Sequence, residues 1–125
     1  MPGRVKIFFD GGWRAATGME TAVVVHGRDY VRQGIGPGSA MDAEWLALLQ
    51  AVELAGQLGL PEAVFCGDSL AVVGQANGSV RCPSDHLRHC QALAALHPHR
   101  GKLRIRHVKR SQNLAGVALA RLHER

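Results

Sequence analysis

Residues 4–12, RVKIFFDGG, form the stretch that decides the fold. The apolar side chains of this stretch are β-branched or aromatic and occupy both alternating positions; they are Val5, Ile7, Phe8 and Phe9. This pattern is typical of a strand that is covered on both faces and therefore lies in the middle of a sheet. We expect Asp10 to leave the sheet where this strand ends, at the edge where α/β proteins usually bind ligands. Gly11 and Gly12 would let the backbone turn sharply there and leave room beside the carboxylate.

The composition favours a single soluble domain over residues 1–125, because a chain of this length can form a core without metals or disulfides. Lys and Arg number 15 against 10 Asp and Glu, and the resulting net charge of +5 suits a polyanionic partner. No apolar run approaches membrane-spanning length, and the N-terminus lacks the hydrophobic segment of a signal peptide. Three cysteines at irregular spacings favour reduced thiols over a disulfide framework. We therefore expect a cytoplasmic protein.

The rest of the chain predicts the element order βββαβααβα. After the first strand, we predict two strands over about 20–25 and 30–35, followed by a helix over 40–58. A strand over 63–66 comes next, and after Asp68 and Ser69 a helix continues to about Gln75. The last predicted elements are a helix that Ser84 caps and that ends before Pro98, a strand over 103–108, and a helix that Ser111 caps and that ends at Leu122. Hairpins link the first three strands, and helices lead to the last two. This order predicts an α/β fold with a mixed five-stranded sheet. In it, the first three strands are antiparallel, the last two run parallel to the first, and helices cover both faces.

The predicted topology brings three carboxylates to one edge of this sheet. Glu44 lies in the first turn of the long helix. Asp68 follows the second central strand, which a right-handed crossover places beside the first strand and parallel to it. Each has an ordinary structural explanation, since Asp68 could be a helix N-cap, Glu44 could respond to the helix dipole, and Ser39 with Asp42 could form a capping box. Together with Asp10, however, the carboxylates would repel one another unless a cation lies among them. The cluster therefore implies a metal.

Four motifs fall on matching predicted elements. They are Asp10-Gly11-Gly12 followed by Gly18, Asp42-Ala43-Glu44-Trp45-Leu46-Ala47-Leu48, Gly67-Asp68-Ser69 with Gln75-Ala76-Asn77-Gly78, and His107-Val108-Lys109-Arg110-Ser111-Gln112-Asn113. With these motifs, nearly the whole chain resembles the ribonuclease H family, whose members cleave the RNA strand of RNA–DNA hybrids. The resemblance implies a ribonuclease H-like fold. It also implies that Asp10, Glu44 and Asp68 are catalytic and bind up to two divalent ions, Mg²⁺ or Mn²⁺, which activate water and stabilise the leaving 3′ oxygen.

The chain departs from the family pattern at the metal site and at the substrate site. Val117 stands four residues after Asn113, where the family carries a fourth metal-binding aspartate. Three carboxylates leave about one positive charge of two divalent ions unneutralised, so we expect the second ion to bind weakly without substrate. Family asparagines that read base edges and RNA 2′-hydroxyls are also replaced. The replacing residues are Ala16, Ala40 and Met41.

Further candidates for nucleic-acid contacts surround the carboxylates. Trp13, which we expect in a loop, could stack on a base or sugar, and Arg14 beside it could meet a phosphate. The cations on and after the last strand could follow a phosphate backbone or could protect an edge strand from pairing; they are Lys102, Arg104, Arg106, Lys109 and Arg110. The predicted nucleic-acid-binding residues are Gly11, Gly12, Trp13, Arg14, Ser39, Lys109, Arg110 and Asn113.

Three functional hypotheses follow. The first is a metal-dependent endoribonuclease that cleaves the RNA strand of RNA–DNA hybrids, with activity weakened by Val117. The second is a catalytically impaired nucleic-acid-binding module on the same fold. The third, a proofreading-type exonuclease, ranks last because those enzymes resemble one another in carrying a glutamate two residues after the first aspartate, where this chain has Gly12. The expected partner is an RNA–DNA hybrid, and neither a membrane nor a protein partner is predicted.

Overall fold

A computed structural model describes residues 4–96 and 103–123. Within these ranges the strands are β1 (Lys6–Arg14), β2 (Gly18–Val25), β3 (Arg28–Arg32), β4 (Val64–Gly67) and β5 (Arg104–His107). They form one five-stranded sheet in the order β3-β2-β1-β4-β5. The β1–β2 and β2–β3 pairs are antiparallel, whereas β4 and β5 run parallel to β1. The predicted mixed sheet and its strand directions are confirmed. Lys102 and Pro98, which entered the predictions for the last strand and the preceding helix, lie outside the described residues.

Helices cover both faces of the sheet, as predicted. In the described part of the chain they are α1 (Ala40–Gln57), α2 (Leu70–Asn77), α3 (Leu87–Leu96) and α4 (Leu114–Leu122). The larger core lies under α1, α2 and α3 and includes Ile7, Phe9, Val23, Trp45, Leu48, Phe65 and Ile105. The smaller core lies under α4 on the opposite face and includes Ala22, Val24, Ala115, Ala118 and Leu119. None of the described helices combines the length and apolarity needed to cross a lipid bilayer.

Strand β1 supplies side chains to both cores, which explains why its apolar residues do not alternate with polar ones. Ile7 and Phe9 are completely buried on the α1 side, whereas Phe8 packs on the α4 side. The strand is longer than predicted. Asp10 still pairs with Ala22 of β2, and the antiparallel pairing continues to Arg14. The expectation of a turn directly after Asp10 is therefore wrong, because the chain leaves β4 at that point but stays paired with β2.

A two-residue turn joins β2 to β3. Both turn residues have positive backbone φ angles, 52° at His26 and 73° at Gly27. Two consecutive positive φ angles are the signature of the turn whose twist matches that of the flanking antiparallel strands. The hairpin therefore closes earlier than predicted, with β3 beginning at Arg28.

The start of α1 has the predicted capping box. The Ser39 side chain accepts a hydrogen bond from the backbone of Asp42, whose side chain in turn accepts one from the backbone of Ser39. Glu44 lies beyond this first turn, contrary to our expectation. Asp68 does not cap α2, because the side chain of Ser69 does so by accepting from Val72 N at 3.2 Å. The carboxylates of Glu44 and Asp68 are thus free of capping roles.

The last two helices begin later than predicted. A single 3₁₀ turn, Ser84–His86, precedes α3, and no side chain caps that turn. Another 3₁₀ turn, Arg110–Gln112, precedes α4. The side chain of Asn113, not that of Ser111, caps α4. In both cases the serine that we predicted as the cap lies inside a short 3₁₀ turn that the sequence pattern did not separate from the helix.

Candidate metal and nucleic-acid site

Three carboxylates meet at one edge of the sheet, as the sequence predicts. Asp10 extends from β1, Asp68 directly follows the neighbouring strand β4, and Glu44 reaches the same place from α1. One carboxylate oxygen from each residue lies within 4.8 Å of the others. We call Asp10, Glu44 and Asp68 the acidic cluster.

Gly11 allows α1 to approach the strand closely enough for this meeting. A Cβ atom at Gly11 would overlap the backbone of Ala43 and Glu44. The Gly11 N–H also donates a hydrogen bond to Glu44 Oε1 at 3.1 Å. Gly11 therefore acts through close packing and by orienting the Glu44 carboxylate, and not by forming a turn.

The acidic cluster carries more negative charge than its surroundings balance. Burial, followed by the charge of Asp68, raises the pKa of Asp10 to about 6. Burial, followed by the charges of Asp10 and Asp68, raises the pKa of Glu44 to about 8. Without a cation the cluster therefore retains a proton near neutral pH, which a divalent ion would displace. Because all three ligands are carboxylate oxygens, the donor set fits a hard cation such as Mg²⁺ or Mn²⁺.

Asn113 holds Asp68 in place from the start of α4. Its amide nitrogen donates to Phe9 O and to Asp68 Oδ2, each at 3.0 Å. Its Oδ1 accepts from Ala115 N at 3.1 Å. The residue is 0% exposed and makes all of these hydrogen bonds inside the protein, so in this structure Asn113 caps α4 and supports Asp68. Its position directly before an apolar helix was the signal for this capping role.

The face of α4 that meets the acidic cluster carries a glycine and no fourth carboxylate. A Cβ atom at Gly116 would lie 3.2 Å from Asp10 Oδ2, which makes Gly116 a close neighbour of the cluster that sequence reasoning missed. The adjacent Val117, at the family's aspartate position, is 40% exposed. The described residues of α4 therefore supply no acidic ligand.

Three of the predicted nucleic-acid contacts, Gly12, Trp13 and Arg14, belong to strand β1. Trp13 pairs with Met19 of β2 and is 50% exposed, so its expected loop position is wrong although its side chain remains accessible. Gly12, which is also on β1, pairs with Glu20 of β2. The Arg14 Nε atom lies 3.7 Å from Glu20 Oε2, so this arginine already has an acidic neighbour.

The other predicted contacts lie around the acidic cluster. Lys109 and Arg110 are exposed before α4, and the charge of Arg110 lowers the pKa of Asp10, which places Arg110 close to the cluster. The Ser39 hydroxyl is exposed but already bonded within the capping box, where it donates to Asp42 Oδ2 at 2.9 Å. Of the predicted phosphate contacts, Arg110 is thus one whose charge acts on the cluster.

A buried histidine that sequence reasoning did not place ties α3 to the start of α1. His89 is 5% exposed, and its Nε2 lies 2.9 Å from Asp42 Oδ1. Its ring stacks on Trp45 with centroids 5.7 Å apart. The hydrogen bond from His89 is the largest cause that holds the pKa of Asp42 well below its usual range. These contacts fix the helix that carries Glu44.

Comparison with known proteins supports this arrangement. The sequence profile described as "Reverse transcriptase-like" matches residues 9–123. The RNase H1 of the halophilic archaeon Halobacterium salinarum NRC-1 is 28% identical, with 94% of each chain covered and a TM-score of 0.81. The N-terminal RNase H domain of Rv2228c from Mycobacterium tuberculosis, solved as a fusion with maltose-binding protein, is 26% identical, with 98% of this chain and 100% of that chain covered and a TM-score of 0.78.

A third solved structure shows the same fold with a ligand. LC11-RNase H1, isolated from compost by a metagenomic approach, was solved in complex with an RNA/DNA hybrid. It is 24% identical to this chain, with 88% of each chain covered and a TM-score of 0.75. The search of curated proteins gave no match.

Proposed function

Because the chain belongs to the reverse transcriptase-like family and has the ribonuclease H fold, we propose that it is a metal-dependent endoribonuclease that cleaves the RNA strand of RNA–DNA hybrids. The observation that carries this proposal is the meeting of three carboxylates within 4.8 Å at the edge of the sheet. The hybrid complex of LC11-RNase H1 supports the choice of substrate.

The acidic cluster would hold up to two divalent ions, which, when bound, activate a water molecule and stabilise the charge on the leaving 3′ oxygen. The protein orients two of the three ligands in advance. Gly11 N–H holds the Glu44 carboxylate, and the Asn113 amide holds that of Asp68. Hydrogen bonds of this kind to metal ligands typically contribute 10- to 100-fold to metal affinity or activity. Asn113 is thus proposed as a positioning residue.

Exposed cations beside the acidic cluster would hold the nucleic-acid backbone. The charge of Arg110 acts on Asp10, and Lys109 precedes Arg110 in the loop after β5. The half-exposed ring of Trp13 offers a stacking surface on the strand that carries Asp10. Phosphate contacts position a nucleic acid without reading its sequence, so this arrangement suits cleavage without strict sequence preference.

We propose that the activity is weaker than that of a site with four carboxylates. With Gly116 and Val117 at the α4 side, the three carboxylates cannot neutralise two divalent ions, and a substrate phosphate must supply the missing charge. The same observation favours a second candidate function, a nucleic-acid-binding module of this fold that has lost its chemistry. Binding of a hybrid without cleavage would support this second candidate.

A cleavage assay on a labelled hybrid, with Mg²⁺ and Mn²⁺ in turn, tests the proposal. We expect the wild type to cut the RNA strand and Asp10→Asn to lose about 100-fold or more, since removing a metal ligand raises the barrier by several kcal/mol. Asp29→Asn, on the exposed edge strand β3, is the matched control and should retain full activity. No cleavage with either metal, or equal residual cleavage by Asp10→Asn, would refute the proposal.

A further inference from the structure

A second cationic surface lies on the β4–β5 side of the sheet. Four basic side chains line a cavity of about 590 Å³ there; they are Arg4, Lys6, Arg104 and Arg106. We call this cavity and its four cations the basic groove. None of its residues belongs to the acidic cluster, so the groove needs an explanation of its own.

Strand register places three of these cations on one face of the sheet. Lys6 pairs with Val64, and Val64 pairs with Arg104 on the far side. Arg106 pairs in the same way with Cys66. Residues in register on neighbouring strands point to the same face, and alternate residues of one strand share a face. The charges of Lys6 and Arg106 both act on the Cys66 thiol, whose pKa is nevertheless raised by burial, and this places both cations beside Cys66.

The described helices leave this part of the sheet open. Helix α4 packs on β1, β2 and β3, whereas α1 and α2 pack on β4 and β5 from the opposite face. Within the described residues, the one carboxylate within ion-pair distance of the groove cations is that of Glu62, 3.8 Å from Arg104 and itself 69% exposed. With respect to the part of the chain that the structure describes, the four positive charges are therefore largely unpaired and accessible to an anionic ligand.

The cations of the basic groove lie on the same face of the sheet as Asp10, further back along the strands. Asp10 lies on the same face, because it pairs with Ala22, which packs under α4. Asp68 comes two residues after Cys66, the register partner of Arg106. At about 3.3 Å per residue, Arg106 and Arg104 lie about 7 and 13 Å along the strands from the level of Asp68. Phosphates recur every 3.4 Å or so along each strand of a duplex, so both distances correspond to about two to four base pairs.

We propose that the basic groove binds the phosphate backbone of the nucleic acid that occupies the acidic cluster, about two to four base pairs to one side of the reacting bond. This inference rests on the proposed function and extends the substrate site. The groove contacts would add affinity without reading sequence or sugar type. They would compensate for the missing base and 2′-hydroxyl contacts at Ala16, Ala40 and Met41.

The test compares Lys6→Gln/Arg106→Gln with the control pair Arg28→Gln/Arg32→Gln. The two pairs remove equal charge from exposed strand positions, and the control lies on β3 at the opposite edge of the sheet. The dissociation constant is measured for an 18-base-pair hybrid and for a DNA duplex of the same length, at several salt concentrations. We expect the groove pair to weaken binding of both duplexes about tenfold at low salt and to reduce the slope of log affinity against log salt by about 2.

Kinetics separate this inference from the proposed function. In hybrid cleavage, the groove pair should raise KM and leave kcat unchanged. If the wild type cleaves the hybrid and the groove pair matches the control in affinity, salt slope and KM, the groove inference is wrong and the proposed function stands. Groove-dependent binding without cleavage would refute the nuclease proposal alone, and failure of the wild type to bind either duplex would refute both.

Two further measurements complete the test. A second pair, Arg4→Gln/Arg104→Gln, should give the same loss of affinity and replaces the first pair if that one folds poorly in a thermal melt. Competition with polyglutamate identifies the alternative occupant. If the groove pair loses affinity for polyglutamate but not for either duplex, the groove serves an acidic protein and the inference is overturned.

Discussion

Two neighbouring acidic sites, the single carboxylate of Glu20 and the acidic cluster, differ in what the protein places opposite them. Glu20, only 2% exposed, faces His123 Nε2 at 3.1 and 2.8 Å from its two oxygens and Arg14 Nε at 3.7 Å. The acidic cluster begins two residues from the register partner of Glu20, yet its carboxylates mainly face one another. The protein thus supplies Glu20 with a histidine and an arginine and leaves the cluster uncompensated. A buried carboxylate with such internal partners is structural, whereas an uncompensated cluster requires a cation from solution.

Removing Glu20 should cause the largest change in stability. We expect Glu20→Gln to lower the free energy of unfolding by about 2–3 kcal/mol, because the buried carboxylate of Glu20 then no longer forms its charged hydrogen bond with His123. Chemical denaturation measures this loss. Metal affinity should stay unchanged. A loss of metal binding in the folded variant would show that Glu20 and the acidic cluster do not have separate roles.

Removing Glu44 should stabilise the metal-free protein at high pH, whereas removing Glu20 should destabilise it. Because the folded protein raises the pKa of Asp10 to about 6 and that of Glu44 to about 8, it binds more protons than the unfolded chain above pH 4.5 or so. The metal-free protein should therefore lose stability as pH rises from about 4.5 to about 8. Glu44→Gln should raise the free energy of unfolding at pH 9 by on the order of 1–2 kcal/mol and should leave it nearly unchanged at pH 4. The expected gain is smaller than the full pKa shift implies, because Glu44 is partly exposed to solvent.

The control for this measurement is Glu53→Gln, on an exposed position of the same helix. It should leave the pH dependence of unfolding unchanged. A Glu44→Gln protein that is less stable than the wild type at pH 9 would show that the cluster is internally balanced after all.

Adding a carboxylate on α4 tests whether the acidic cluster lacks negative charge for a second divalent ion. We expect Val117→Asp to raise the hybrid cleavage rate about tenfold, since a fourth carboxylate supplies charge that the second divalent ion lacks. Gly116→Asp is the matched comparison and should lower the rate, because its side chain would begin 3.2 Å from Asp10 Oδ2 and crowd the cluster. Equal effects of the two substitutions would show that the position on α4 does not matter.

The sequence was sufficient for the sheet and for the meeting of the carboxylates. The apolar residues on both parities of β1 required a central strand, and right-handed crossover placed β4 beside it. Asp10 and Asp68 then had to emerge as neighbours. These conclusions depend on backbone topology, which periodicity and element order determine.

The sequence was not sufficient for the side-chain partners. Whether Asn113 faces solvent or Asp68 depends on where α4 begins, and the 3₁₀ turn before it shifts that start by two residues relative to a Ser111 cap. The start of α4 also determines that Gly116 is the residue that lies against Asp10. The pairing of Glu20 with His123 joins residues 103 positions apart, and no local pattern signals such a contact.

Whether the acidic cluster takes up a cation from solution can be measured by calorimetric titration of the metal-free protein with Mn²⁺ near pH 7, in two buffers of different ionisation enthalpy. We expect saturable binding with release of a proton from the acidic cluster. Asp10→Asn should lose this binding and Glu20→Gln should keep it. Saturable binding that survives Asp10→Asn unchanged, or the absence of saturable binding in the wild type, would show that the acidic cluster is not a metal site.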